Sequence, residues 1–220
     1  MTTQISLEEP VLRENTENAE RNRQHFAKNG VYVLNLMSGA GAGKTTLVER
    51  LADALKSRLR LAIIAADLET RRDADRIERH GVPVVQINTG GACHVEAHQI
   101  LRAAEAFDLP NLDLVVVENV GNLVCPAEFD LGETDKVMIL SCTEGDDKPG
   151  KYPLMFKEAR AMIVNKVDLL PHTNFDVDAA VQDARKLNPD LQVFRMSART
   201  GEGLAAFCDW LEGRVRSAKR

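Results

Sequence analysis

Seven short runs, almost wholly apolar and rich in β-branched residues, recur along the chain: residues 31–36, 61–65, 82–87, 114–117, 137–140, 161–164 and 192–194. A strand that is apolar at nearly every position has no face to offer water, so both its faces must be covered. Helical patterns fall between the runs, over residues 45–58, 92–106, 177–186 and 203–215. This alternation predicts an α/β fold: a mostly parallel sheet with helices on both faces. The 220 residues suffice for one such core. Ligands of open α/β sheets bind beyond the carboxyl ends of the strands, so the chemistry is expected in the segments that follow the runs.

Residues 1–29 are polar and charged, with apolar positions too sparse for a core helix beyond a short amphipathic piece ending at His25-Phe26-Ala27. They read as a helical N-terminal extension, an appendage to a domain over residues 30–220. The start is acidic rather than basic, and no run reaches the roughly 18 apolar residues of a membrane span, so a soluble, cytoplasmic protein is expected. A net charge of −5 argues against nucleic acid and anionic membrane as partners. Cysteines at 93, 125, 142 and 208 are too few and too scattered for a disulfide framework, which favours reduced thiols.

Between the first run and the first helical pattern stands Ser38-Gly39-Ala40-Gly41-Ala42-Gly43-Lys44-Thr45-Thr46. Glycines at a strand-to-helix turn let backbone N–H groups curl around an anion, and the helix start favours negative charge. Lys44 is expected to reach the β- and γ-phosphates of a nucleotide and the Thr45 hydroxyl to ligate Mg2+. Ser38 occupies the first glycine position of the usual phosphate-loop pattern. The other magnesium or water-positioning carboxylates should follow the second and fourth strands, which points to Asp67 and Glu118, ahead of Asp73 and Asp75. No arginine finger is identifiable, so slow turnover is expected.

Asn165-Lys166-Val167-Asp168 follows the sixth run and resembles the N-K-x-D element of GTP-binding proteins. The resemblance implies that Asp168 accepts hydrogen bonds from guanine N1 and the exocyclic amine, with the Lys166 stem over the ring. Ser197-Ala198-Arg199 resembles the S-A-K element that closes on the guanine O6, with Arg199 in place of lysine. Glu118-Asn119-Val120-Gly121 resembles the D-x-x-G switch element, with glutamate for aspartate.

Cys142 at a strand end and Cys208 among Leu204, Phe207 and Leu211 read as buried packing residues. Cys93-His94 follows the Gly90-Gly91 turn at an expected helix start, where the dipole favours thiolate. With Cys125 they make a plausible soft site for zinc or nickel, and His98, one turn on, is an alternative ligand. On composition alone, unpaired core thiols remain the simpler reading.

Several longer stretches carry a family resemblance: Asn35-Leu36-Met37-Ser38, Thr89-Gly90-Gly91-Ala92-Cys93-His94, Glu118 through Pro126, and Glu144-Gly145-Asp146-Asp147-Lys148-Pro149 with Lys151-Tyr152-Pro153. Taken in order over residues 30–215, the chain resembles the HypB family of hydrogenase nickel-incorporation GTPases. The urease accessory GTPases of the UreG type lack the Asn-Val-Gly-Asn-Leu-Val-Cys stretch. The resemblance implies a P-loop NTPase fold of the SIMIBI GTPase type and a GTP-dependent homodimer. It also implies Ni2+ or Zn2+ at Cys93, His94 and Cys125, and a role with nickel-delivery partners at the large subunit of a [NiFe] hydrogenase. Many such proteins carry an N-terminal cysteine cluster or histidine-rich tract, and residues 1–29 hold only His25. A urease-type accessory GTPase and a P-loop small-molecule kinase are the alternatives.

Overall fold

The computed structural model describes residues 8–67 and 72–219. Helix α1 (Glu8–Lys28) leads into strand β1 (Tyr32–Ser38) and helix α2 (Lys44–Leu55). There follow β2 (Leu61–Asp67), α3 (Arg72–Glu78), β3 (Val84–Asn88), α4 (Ala97–Ala104), β4 (Leu114–Gly121) and the four-residue α5 (Cys125–Glu128). The rest comprises β5 (Asp135–Ser141), α6 (Lys148–Lys151), α7 (Pro153–Glu158), β6 (Ala161–Asn165), α8 (Val177–Leu187), β7 (Gln192–Arg195) and α9 (Leu204–Ala218).

All seven expected strands are present, in one sheet of order β3-β2-β4-β1-β5-β6-β7 in which every pairing is parallel. The fold is the α/β one, a parallel sheet covered on both faces, that the alternation predicts. Side-chain alternation divides the core as expected for strands covered twice. Leu34, Ile63, Val116 and Ile163 face a layer formed by α2, α3 and α9. Val33, Ile64 and Val115 face α1 and α4, while Met138, Leu140 and Met162 face α7 and α8. Each large aliphatic side chain so buried contributes roughly 1.5–3 kcal/mol. Strand order reverses at β1, flanked by β4 and β5, and the crevice beyond such a reversal is where ligands are held.

Several elements differ from the sequence expectation. The run at 82–87 becomes a strand only from Val84, because Pro83 has no N–H for the ladder. The helix expected over 92–106 begins at Ala97, where Glu96 and Gln99 form a capping box. Gly90 and Gly91 ahead of it hold φ values of +60° and +91°, so the chain there is a turn. The polar N-terminal segment, read as an appendage with one short helical piece, contains a 21-residue helix. Its Asn15, Ala19, Asn22 and Phe26 are buried. A narrow stripe suffices to dock a helix when asparagines on it bond the backbone beneath. Among the described residues no helix is long and apolar enough to cross a membrane.

Candidate functional site

Two constellations form at the carboxyl ends of the strands, one around the β1–α2 loop and one beyond the end of β4. In the first, Ser38 closes β1 and is fully buried, and Lys44 opens α2. Gly41 and Gly43 take φ values of +73° and +100°, which disfavour any side chain. A Cβ on Gly43 would also stand 2.6 Å from Asn165 Nδ2. Lys44 Nζ donates to Ser38 Oγ at 2.9 Å, so the residue in the place of the first glycine is the lysine's partner. Burial pulls the Lys44 ammonium below its usual pKa, against the opposing pull of Glu118, Asp73 and Glu144.

Thr45 Oγ1 donates to Glu118 Oε1 at 2.7 Å. Glu118 is 4% exposed, its Oε2 has no partner, and desolvation lifts its carboxyl to about 7. These groups border a cavity of about 400 Å³ that Asp67, Asp73 and Arg76 also line. Position had ranked Asp73 with Asp75 behind the other carboxylates. Docking of α3 separates the pair, bringing Asp73 to the cavity and leaving Asp75 exposed. Arg76 has no motif to announce it. It is held by Glu49 at 2.7 and 3.0 Å and reaches Thr46 Oγ1 at 3.4 Å. A guanidinium therefore borders the cavity where the sequence disclosed none.

The other end of this site is stapled by Asn165. Its amide donates to Ala42 O at 2.8 Å and accepts from Ala198 N at 3.0 Å, joining the phosphate-loop segment to the Ser197-Ala198-Arg199 loop. Lys166, with φ +63° the one non-glycine residue in left-handed backbone among those described, donates to Gly41 O at 2.7 Å. Arg199 Nε and Nη2 hold Asp168 Oδ2 at 3.1 and 2.7 Å, while Asp168 Oδ1 is buried without a partner. The Ser197 hydroxyl, and then Arg199, hold the Asp168 carboxyl below the usual range. The two elements expected at a guanine base thus converge, leaving an ionised acceptor oxygen unclaimed.

In the second constellation Cys93, His94 and Cys125 offer donor atoms that all lie within 4.8 Å of one another. The two sulfurs are 2.8 Å apart, and His94 Nδ1 is 3.6 Å from Cys93 Sγ. The His94 ring stacks on Phe129 at 3.7 Å between centroids, and its Nε2 is buried without a partner. Desolvation lowers the His94 pKa, which leaves a neutral imidazole with a lone pair to give. Two thiols and such an imidazole suit a soft or borderline divalent ion.

Two expectations about this cluster are corrected. Cys93 and His94 lie in the turn ahead of α4, outside the reach of its N-terminal dipole. His98 is outside the cluster and pairs with Glu96 at 3.3 Å. Cys125 opens α5, yet burial and then the neighbouring Cys93 push its thiol pKa up. Any metal bound there must displace a proton. Cys142 and Cys208 are buried, and the Cys142 thiol donates to Lys166 O.

A family model described as "CobW/HypB/UreG, nucleotide-binding domain" matches residues 32–195. The hydrogenase maturation factor HypB of Azotobacter chroococcum is 49% identical over 215 residues, spanning 98% of this chain and 70% of its own length. The chain belongs to the HypB family. A crystal structure of HypB from Helicobacter pylori in complex with nickel superposes with a TM-score of 0.89 at 40% identity, covering 94% of this chain and 97% of that one. The signal recognition particle receptor FtsY from Elizabethkingia anophelis, at 20% identity and a TM-score of 0.56, shares the fold alone; the match covers 90% of this chain and 72% of that one. The matched HypB region holds both constellations.

Proposed function

We infer that this HypB chain binds and hydrolyses GTP and uses that cycle to govern a nickel or zinc ion on its way to a [NiFe] hydrogenase. One observation carries the reading: β4 bears Glu118 at the first cavity and ends at Gly121, shortly before Cys125 at the start of α5, so the groups assigned to nucleotide and to metal share one segment. The relative's name, hydrogenase maturation factor, and the nickel in the H. pylori structure support the cargo and the destination.

In this reading the backbone from Ser38 to Thr46 wraps the phosphates and Lys44 meets the β- and γ-oxygens. Thr45, Asp67 and Glu118 would hold Mg2+, which neutralises charge on the transferred phosphoryl group; the unpartnered Glu118 oxygen fits that use. Asp168 takes the guanine N–H donors on its free oxygen, with Asn165, Lys166 and the Ser197–Ala198–Arg199 loop around the base. Cys93, His94 and Cys125 take the transition metal, and loss of the γ-phosphate repositions Cys125 through β4. The protein acts in the cytoplasm as a homodimer, with nickel-delivery proteins and the hydrogenase large subunit as partners.

The test is a titration of Ni2+ and Zn2+ into protein loaded with GDP or with a non-hydrolysable GTP analogue. Affinities should differ between the two states, and the metal should shift nucleotide affinity by the same factor. Equal affinities would overturn the coupling.

A further inference from the structure

Helix α1 lies across both segments that carry the metal donors. Asn22, fully buried, donates from its amide to Ala97 O at 2.7 Å and to Leu131 O at 2.8 Å. Asn15, seven residues earlier on the same face, accepts from Ala97 N at 2.8 Å and donates to Asp130 O at 2.7 Å. Ala97 closely follows His94 in the chain, and Asp130 and Leu131 directly follow Phe129, the ring on which His94 stacks. Two asparagines therefore bond the Cys93–His94 segment and the Cys125 segment to each other through one helix, twice.

The fit is close. Gly132 has φ +77°, and a Cβ there would stand 2.6 Å from Asn22 Cβ and 2.9 Å from Arg23 N, so the loop passes under α1 with no room for a side chain. Phe26 packs in one apolar cluster with Ile100 and Leu131. All the asparagine bonds go to backbone groups, so they fix where the segments lie whatever side chains those carry. Neither asparagine lines the phosphate cavity.

We propose that α1 is a clamp on the metal centre, with Asn15 and Asn22 as positioning residues that set the separation of Cys93 and Cys125 and so the affinity for the ion. This rests on the reading of Cys93, His94 and Cys125 as the metal site. Groups that orient metal ligands without touching the ion typically change affinity about 10- to 100-fold when removed.

The experiment uses the full chain with Asn15→Ala, Asn22→Ala and, as a control, Arg23→Gln. The control breaks the exposed ion pair between α1 and Asp130 and leaves the backbone clamps intact. Two readouts are taken beside GDP affinity. One is the dissociation constant for Ni2+ and Zn2+. The other, on metal-free protein, is the rate at which diamide oxidises Cys93 and Cys125 to a disulfide; the two thiols give up two electrons and two protons and the azo reagent becomes a hydrazine. Either asparagine variant should weaken metal binding by about 10- to 100-fold and slow disulfide formation by about tenfold. GDP affinity should be unchanged and the control should match the parent. Asn15→Ala carries both readouts if Asn22→Ala does not fold. Metal affinity and disulfide rate within about twofold of the parent would overturn the clamp, as would a parallel loss of GDP affinity, which marks general loosening. Retention of metal by Cys93→Ala and Cys125→Ala would sink the metal reading instead, and the disulfide rate would still decide the clamp.

Discussion

Thr45 Oγ1 donates to Glu118 Oε1 at 2.7 Å across 73 residues of sequence. The bond fastens the first turn of α2 to β4, the strand that runs on toward Cys125. It leaves the second Glu118 oxygen buried and without a partner, in a residue that lines the same cavity as Asp67 and Lys44. The loop before α2 and strand β4 are therefore already joined at the side chains assigned to magnesium.

Thr45→Ala removes the hydroxyl and strands both carboxylate oxygens. Losing one buried, charge-assisted bond corresponds to about 1.5–3 kcal/mol, or roughly 10- to 100-fold in affinity. Binding of a GTP analogue should weaken by that factor in magnesium and change little in EDTA. Calorimetric titration in the two buffers checks this; an equal loss in both would dissociate Thr45 from the cation.

Asp168→Asn swaps an acceptor oxygen for a donor at the place assigned to the guanine N–H pair. GTP affinity should fall about 100-fold, and xanthosine triphosphate, which presents an acceptor there, should bind better than GTP. Competition against a fluorescent GDP analogue measures both. Undiminished GTP binding would show that the base is held elsewhere.

Cys93→Ala and Cys125→Ala should each abolish stoichiometric Ni2+ or Zn2+ binding while leaving GDP binding intact, and His98→Ala should retain the metal. His98 already has Glu96 as its partner and lies outside the cluster. Elemental analysis after gel filtration reads all three, and proton release on metal addition should accompany binding in the parent.

Asp113 accepts from the Arg60 backbone N–H at 2.8 Å, from the Arg60 guanidinium and from Lys219 at the end of α9. The Arg60 side-chain bonds, chiefly, hold its carboxyl well below the usual range. A depressed carboxyl stabilises the fold above its unfolded pKa, about 3.9, and that contribution fades as pH falls toward the folded value. Arg60 is exposed, so solvent screening keeps the gain small. Asp113→Asn should melt lower than the parent at pH 7, with the gap closing below about pH 4. Thermal melts across that range are the check.

The strands were legible because a doubly covered parallel sheet demands apolar residues at consecutive positions, a purely local mark. The glycine-rich loop before α2 and the Asn165–Asp168 element stood out as candidates because backbone approach to a phosphate, or a carboxylate facing a base, needs particular residues at short fixed spacing. The start of α4 differs because Ala92 suits a helix by propensity, while the Glu96–Gln99 capping box sets its start later. Arg76 was missed because its role comes from the docking of α3 beside α2, which leaves no local pattern. Asn15 and Asn22 were missed for a related reason: in a polar helix they look like solvated residues, and only the backbone beneath them makes them structural.

By itself, then, the sequence determined the α/β class, the place of a glycine-rich loop at its first strand end, and the cysteines and histidine available for a soft ion. Tertiary structure decided which of these meet. It brought Cys93 to 2.8 Å from Cys125, set Asn165 between Ala42 and Ala198, and laid α1 across the start of α4 and the loop after α5. Spacing along a chain governs only what one strand or one helical turn can present. Contacts between segments far apart in the chain depend on the sheet order and on helix docking, which are fixed by burial summed over the whole core.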